Sequence, residues 1–337
     1  MAEPKRKLGN PISATLTALR DIRDTSGGVS PVPDTTRLDG KTCLVTGANS
    51  GLGLAIATDL ARRGARVIMA CRSGIPEAGD AVRQATRNDA VSMEHVDLAD
   101  LRSVDALCDR LKAQGTVIDR LILNAGLMAP KAVASPQGFE TMFAVHYLGN
   151  LRLATRLVEH GLMPKDRQAD RPRIVAVSSE SHRSAPPLDR GTFGEVVPHS
   201  VGGAMKQYGH SKLALSLAMR RLAEQYRTET GDPTIDVFHM CPGPVNSNIA
   251  KSAPAWLRPV VKGVMGSLFP SPEKAAEPAI YLAASPDVSG ESGVYMHLMT
   301  VKDPSDAAMD DDDAKFVIEF ANKVFATLEQ EPANGTA

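Results

Sequence analysis

Cysteine is scarce in this chain, and no group of His, Cys, Asp or Glu stands at metal-ligand spacing. The four cysteines (Cys43, Cys71, Cys108 and Cys241) in 337 residues form no redox or zinc pattern and no disulfide framework. That excludes a disulfide-stapled secreted scaffold and fits a reducing compartment, so a cytoplasmic location is expected. Charge is also balanced: the net value is −1 and neither sign clusters strongly, the acidic run Asp310 to Asp313 reading as the opening of a last helix, which argues against a nucleic-acid surface. No run of about 18 apolar residues occurs, so no transmembrane segment is expected. Lys5-Arg6-Lys7 is not followed by a long apolar core, so the first residues do not read as a signal peptide. No internal repeat is visible.

What is present is an apolar fraction of 43%, ample for a core. It is spread over an unbroken alternation of strand-like and helix-like segments. Strands are expected at 42–46, 66–70, 91–96, 118–123, 173–178, 234–240 and 293–296. Helices are expected at 52–63, 76–87, 100–113, 138–162, 207–229, 272–284 and 311–329. Parallel strands joined by right-handed helical crossovers give an α/β fold. It is a single Rossmann-type doubly wound sheet of about seven strands, with helices on both faces and ligands beyond the strand C-terminal ends. The expected domain spans 38–330. Before it lies an extension, 1–37, loosened by Gly, Ser and Pro between Ser26 and Pro33, with a short amphipathic helix at Leu8 to Ile22. A tail, 331–337, follows.

Two local patterns carry chemistry. In Tyr208-Gly-His-Ser-Lys212, on an expected helix, Tyr208 and Lys212 share one face, one turn apart. An ammonium beside a phenol favours phenolate and lowers its pKa, so the pair can exchange a proton with an alcohol or carbonyl oxygen. Upstream, Thr42-Cys-Leu-Val-Thr46 runs into Gly47-Ala48-Asn49-Ser50-Gly51-Leu52-Gly53 and then an amphipathic stretch. Strand, glycine-rich turn and helix N-terminus together make a cradle for a dinucleotide pyrophosphate.

Five motifs in this order resemble the short-chain dehydrogenase/reductases: Thr46-Gly47-x3-Gly51-x-Gly53, Asn124-Ala125-Gly126, Ser178-Ser179, Tyr208-x3-Lys212 and Pro242-Gly243. Finer features are similar to the retinol-dehydrogenase-like and protochlorophyllide-reductase-like branch. They include Ala70-Cys-Arg72, Ser178-Ser-Glu-Ser-His182, Ser292-Gly-Val-Tyr295 and the long gap from Ser179 to Tyr208.

The resemblance implies an oxidoreductase that moves a hydride between a nicotinamide cofactor and an alcohol or carbonyl. The expected catalytic residues are Ser179, Tyr208 and Lys212. Ser179 bonds the substrate oxygen, Tyr208 acts as acid or base, and Lys212 holds the nicotinamide ribose and tunes Tyr208. The cofactor would lie along Gly47, Asn49, Ser50, Gly51, Leu52, Gly53, Asn124, Ala125, Gly126, Pro242, Gly243, Val245 and Ser247. After the second strand no acid appears where a ribose 2′-hydroxyl would need one. Arg72 stands there instead and can pair with a 2′-phosphate, so NADP(H) is expected over NAD(H). Asp97-Leu98 follows the third strand. In the family an acid there contacts adenine, and the alternative is a helix N-cap.

Relatives carry Asn where this chain has His146, in His146-Tyr-Leu-Gly149. The resemblance gives that position a proton relay to Lys212, and a relaying histidine with a pKa near 6.5 should show in a pH profile. The segment 248–271 is apolar yet broken by Pro254, Pro259 and Pro270, and the resemblance makes it a lid. Apolar lining suits a small hydrophobic carbonyl or alcohol as substrate, and a homo-oligomer is allowed. Two alternatives are a light-driven tetrapyrrole reductase, against which Pro244 stands where such proteins carry Cys, and a cofactor-binding scaffold without turnover.

Overall fold

The computed structural model describes residues 28–167, 170–199, 201–244 and 270–330. The expected helix at 8–22, Val245, Ser247, nearly all of the lid and the tail lie outside the described residues.

Among the described residues, eight strands form one sheet: β1 (Thr42–Thr46), β2 (Arg66–Cys71), β3 (Val91–His95), β4 (Arg120–Leu123), β5 (Arg173–Val177), β6 (Asp236–Cys241), β7 (Tyr295–His297) and β8 (Thr300–Lys302). Their order is β3-β2-β1-β4-β5-β6-β7-β8, all parallel except the antiparallel pair β7–β8. The switch from β1 to β4 opens the crevice where doubly wound sheets take ligands. Strand side chains alternate between the two faces. Leu44, Ile68, Leu121 and Ile174 pack on one helical layer, and Cys43, Val67, Met69 and Val175 on the other.

The second layer holds α1 (Gly51–Arg62), α2 (Glu77–Thr86) and α6 (Pro272–Ala284). The first holds α3 (Leu101–Ala113), α4 (141–159), α5 (Val201–Gln225) and α7 (Asp311–Gln330). Helix α7 is anchored by buried Arg152 of α4, which bonds Asp105 at 2.7 Å and Glu329 at 2.9 Å and lies over the Phe325 ring.

Helix α4 departs from the plain helix expected at 138–162. It starts at Thr141, and Ala144–Gly149 is wound as a π-helix with all six residues buried. Such segments are uncommon and gather at functional sites. His146 sits inside it. Gly149 closes it against the loop after β3: a Cβ there would lie 2.2 Å from the Leu98 carbonyl oxygen. Gly149→Ala should therefore cost about 1–3 kcal/mol of stability, as overpacking does. Denaturant unfolding measures this. An unchanged midpoint would mean that the loop yields freely.

Candidate active site

The predicted residues gather at the C-terminal ends of β1, β2, β3, β4, β5 and β6. The turn after β1 forms as the glycines require. Gly47 has φ of 63° and Gly51 of 54°, a region that L side chains rarely adopt. A Cβ on Gly53 would lie 2.4 Å from the Gly47 carbonyl oxygen, so only glycine lets α1 pack this close to the strand. Ser50 precedes α1 without capping it, and the first turn has no acid. A Cβ on Gly51 would meet nothing within 4 Å. An uncapped helix N-terminus facing open space fits a phosphate group. Asn49 bonds the Ser73 carbonyl at 3.0 Å and so joins this turn to the Arg72 segment.

The Arg72 side chain is 66% exposed, and its guanidinium lies 3.8 Å from the Asp97 carboxylate. The two residues expected at the adenosine end thus face each other across the mouth. Asp97 does not cap α3: Asp100 does, accepting from the Arg102 amide at 3.0 Å. Asp97 instead accepts from the Ala99 amide at 2.9 Å, shaping the loop around Leu98.

Asn124 donates to the Thr46 carbonyl at 2.9 Å, while Thr46 Oγ1 accepts from the Asn124 and Ala125 amides at 3.0 Å each. Thr46 is fully buried and clamps β1 to β4. It stood in the quoted motif without a role of its own. Pro242 is buried, and Gly243 has φ of 74°, with Leu298 where its Cβ would be.

The two serines after β5 part ways. Ser178 turns inward and shares a hydrogen bond with Ser216 of α5 at 2.8 Å. Ser179 is half-buried, accepts from the Ser181 amide at 3.3 Å, and lies beside the Tyr208 phenol. Lys212 is buried, donates to the Val177 carbonyl at 2.7 Å, and places its ammonium 5.8 Å from the centre of the Tyr208 ring. Burial lowers its pKa to about 8.

The expected lowering of the Tyr208 pKa is not what the fold shows. Burial dominates and raises it to about 12; the nearby Cys241 adds to the rise and the Ser179 side chain opposes it. The ammonium donates to the Val177 carbonyl rather than to the phenol, so no direct hydrogen bond from Lys212 offsets that burial. Buried there, Tyr208 is an acid that keeps its proton near neutral pH.

His146 is fully buried and stands edge-on to Tyr208, with ring centres 5.3 Å apart. Its Nε2 accepts from the Leu127 amide at 2.9 Å. Its Nδ1 lies 2.8 Å from Ser211 Oγ, which itself donates to the Tyr208 carbonyl. The Ser211 proton is therefore committed, and Nδ1 is the donor. Both ring nitrogens are engaged in a neutral tautomer. Burial first, then Lys212, holds the imidazole pKa well below its usual value. This corrects the expectation that His146 titrates visibly. Carbonyl reduction should show no step near pH 6.5, and His146→Asn should keep the shape of the profile. A step near pH 6.5 that disappears in that variant would contradict the assignment. The link from Ser211 to His146 joins residues far apart in sequence, so no local pattern marks it.

Among the described residues, no group of three or more His, Cys, Asp or Glu could hold a metal ion. Among them, too, no helix is long and apolar enough to cross a membrane.

The profile of the short chain dehydrogenase family matches residues 41–191. The chain is 36% identical to retinol dehydrogenase 14 of Mus musculus over 82% of its own length and 81% of that protein's. It is 34% identical to dehydrogenase/reductase SDR family member 13 of Bos taurus, over 85% of this chain and 74% of that one. Among solved structures, an uncharacterised protein from Mycobacterium paratuberculosis superposes with a TM-score of 0.66 at 23% identity, covering 88% of this chain and 98% of that one. A Beutenbergia cavernae protein, described as an NAD(P)-dependent gluconate 5-dehydrogenase and solved with bound NADP, gives a TM-score of 0.58 at 25% identity, covering 78% and 97%. Sequence and fold agree: the chain is an oxidoreductase that belongs to the short-chain dehydrogenase/reductase family, in its retinol-dehydrogenase-like branch.

Proposed function

We propose that this chain interconverts a hydrophobic alcohol and its aldehyde or ketone with NADP(H), using Tyr208 as the acid and base. The observation that carries the reading is the joining of Ser179, Tyr208 and Lys212 beside the glycine turn, with the Ser179 side chain next to the phenol and the Lys212 ammonium over its ring. When bound, the cofactor supplies or accepts the hydride. The glycine turn and the N-terminus of α1 would hold its pyrophosphate, Arg72 its 2′-phosphate, and Lys212 a ribose hydroxyl. In reduction, Ser179 holds the carbonyl oxygen while Tyr208 gives its phenolic proton to it. The Lys212 ammonium then stabilises the phenolate left behind. In oxidation the same proton returns to Tyr208. His146 holds the Tyr208 turn of α5 against the loop after β4.

The apolar class of the substrate is supported by the retinol dehydrogenases among the relatives and by the apolar sequence of segment 248–271. NADP(H) is supported by Arg72 at the adenosine end and by the NADP bound to the Beutenbergia protein. The experiment is an NADPH-oxidation screen across aldehydes and ketones of graded size. Rates should rise with apolar bulk. A flat response, or preference for small hydrophilic sugars, would overturn the substrate class.

A further inference from the structure

Ser179 stands where β5 gives way to the 3-10 turn Glu180–Ser184, and residues far along the chain fix that turn. His182 is 0% exposed. Its Nδ1 lies 2.6 Å from the Ser179 carbonyl oxygen, and its Nε2 lies 3.0 Å from the Ser305 amide nitrogen. A carbonyl only accepts and an amide N–H only donates, so Nδ1 carries the proton and Nε2 is bare. The partners admit a single ring form, the neutral Nδ1–H tautomer.

Two further ties run beside it. Arg183 bonds the Glu180 carboxylate at 2.8 Å and donates to the Asp303 carbonyl. Tyr295 of β7 donates its hydroxyl to Glu180, and the His182 ring stands edge-on to it at 5.4 Å. The Ser179 carbonyl accepts from both the amide and the ring of His182, which sets the peptide from which its hydroxyl projects.

We infer that His182 is a positioning residue that couples the segment Asp303–Ser305, just after β8, to the Ser179 hydroxyl. The C-terminal part of the chain would thus complete the active site without touching substrate. The inference rests on the proposed role of Ser179.

A double-mutant cycle on the full chain tests it, with turnover and NADPH affinity measured separately. His182→Ala should lower kcat about tenfold, since small misplacements of reacting groups are costly, and leave NADPH Kd within about twofold. In a Ser179→Ala background it should add almost nothing, because it acts through that hydroxyl. Ser305→Pro supplies a second route. Ser305 already has φ of −65°, so proline fits the backbone while removing the amide that His182 accepts. Its kcat should fall, whereas Ser305→Ala, which keeps that amide, should turn over normally. Should His182→Ala not fold, the Ser305 pair carries the test.

Wild-type turnover in both His182→Ala and Ser305→Pro would overturn the inference alone, as would full additivity with Ser179→Ala. Wild-type turnover in Ser179→Ala itself would overturn the Ser179 role and this inference with it.

Discussion

Tyr208→Phe should lose turnover by roughly 10²–10⁴-fold, the usual worth of a positioned acid or base. NADPH binding should stay nearly intact. Phenylalanine keeps the ring that packs edge-on to His146 and beneath the Lys212 ammonium. What disappears is the phenolic hydroxyl with its proton, next to Ser179. Because burial keeps that proton on Tyr208, the loss should appear in carbonyl reduction at every pH from about 6 to 9. Steady-state rates with a responsive carbonyl, beside a fluorescence titration of NADPH, separate the two effects. Near-parental turnover would remove Tyr208 from the chemistry.

Arg72→Ala should weaken NADPH by about 10- to 100-fold and leave NADH nearly unchanged. A hydrogen bond to a charged group contributes roughly 1.5–3 kcal/mol, and NADH has no 2′-phosphate for the guanidinium to meet. The present partner of Arg72 is Asp97 at 3.8 Å, in a solvent-exposed pair. Such pairs are worth about 0–1 kcal/mol, so a phosphate can compete for the guanidinium. Titrating both cofactors into both proteins decides the matter. An equal loss for NADH would show that Arg72 acts through folding or general charge.

The sheet was legible where strands are buried apolar runs: β1, β2, β5 and β6 lie within a residue or two of the expected segments. Strand β8 was not legible, because three residues beside a tight turn carry no periodicity. The π-helix in α4 was equally hidden. Its apolar pattern reads as ordinary helix, and only the backbone shows the change in winding. The site was legible as residue types at spacings: the glycine turn, Ser179, Tyr208 and Lys212 do converge. Their electrostatics were not. Spacing says that Lys212 is near Tyr208, but only the fold shows the ammonium turned toward Val177 and burial governing the phenol. The same holds for the histidines. What His146 and His182 bond to comes from Leu127, Ser211 and Ser305, and no local pattern names those partners.

The central claim is that a hydride passes between NADP(H) and an apolar carbonyl while Tyr208 supplies the proton. Its most direct test uses NADPH deuterated at the nicotinamide hydride carbon, with a hydrophobic aldehyde or ketone, and mass spectrometry of the alcohol formed. The prediction is one deuterium per product molecule, on the former carbonyl carbon, formed by the parent chain and essentially lost in Tyr208→Phe. An alcohol labelled only from solvent, or tight NADPH binding with no alcohol for any carbonyl, would contradict it.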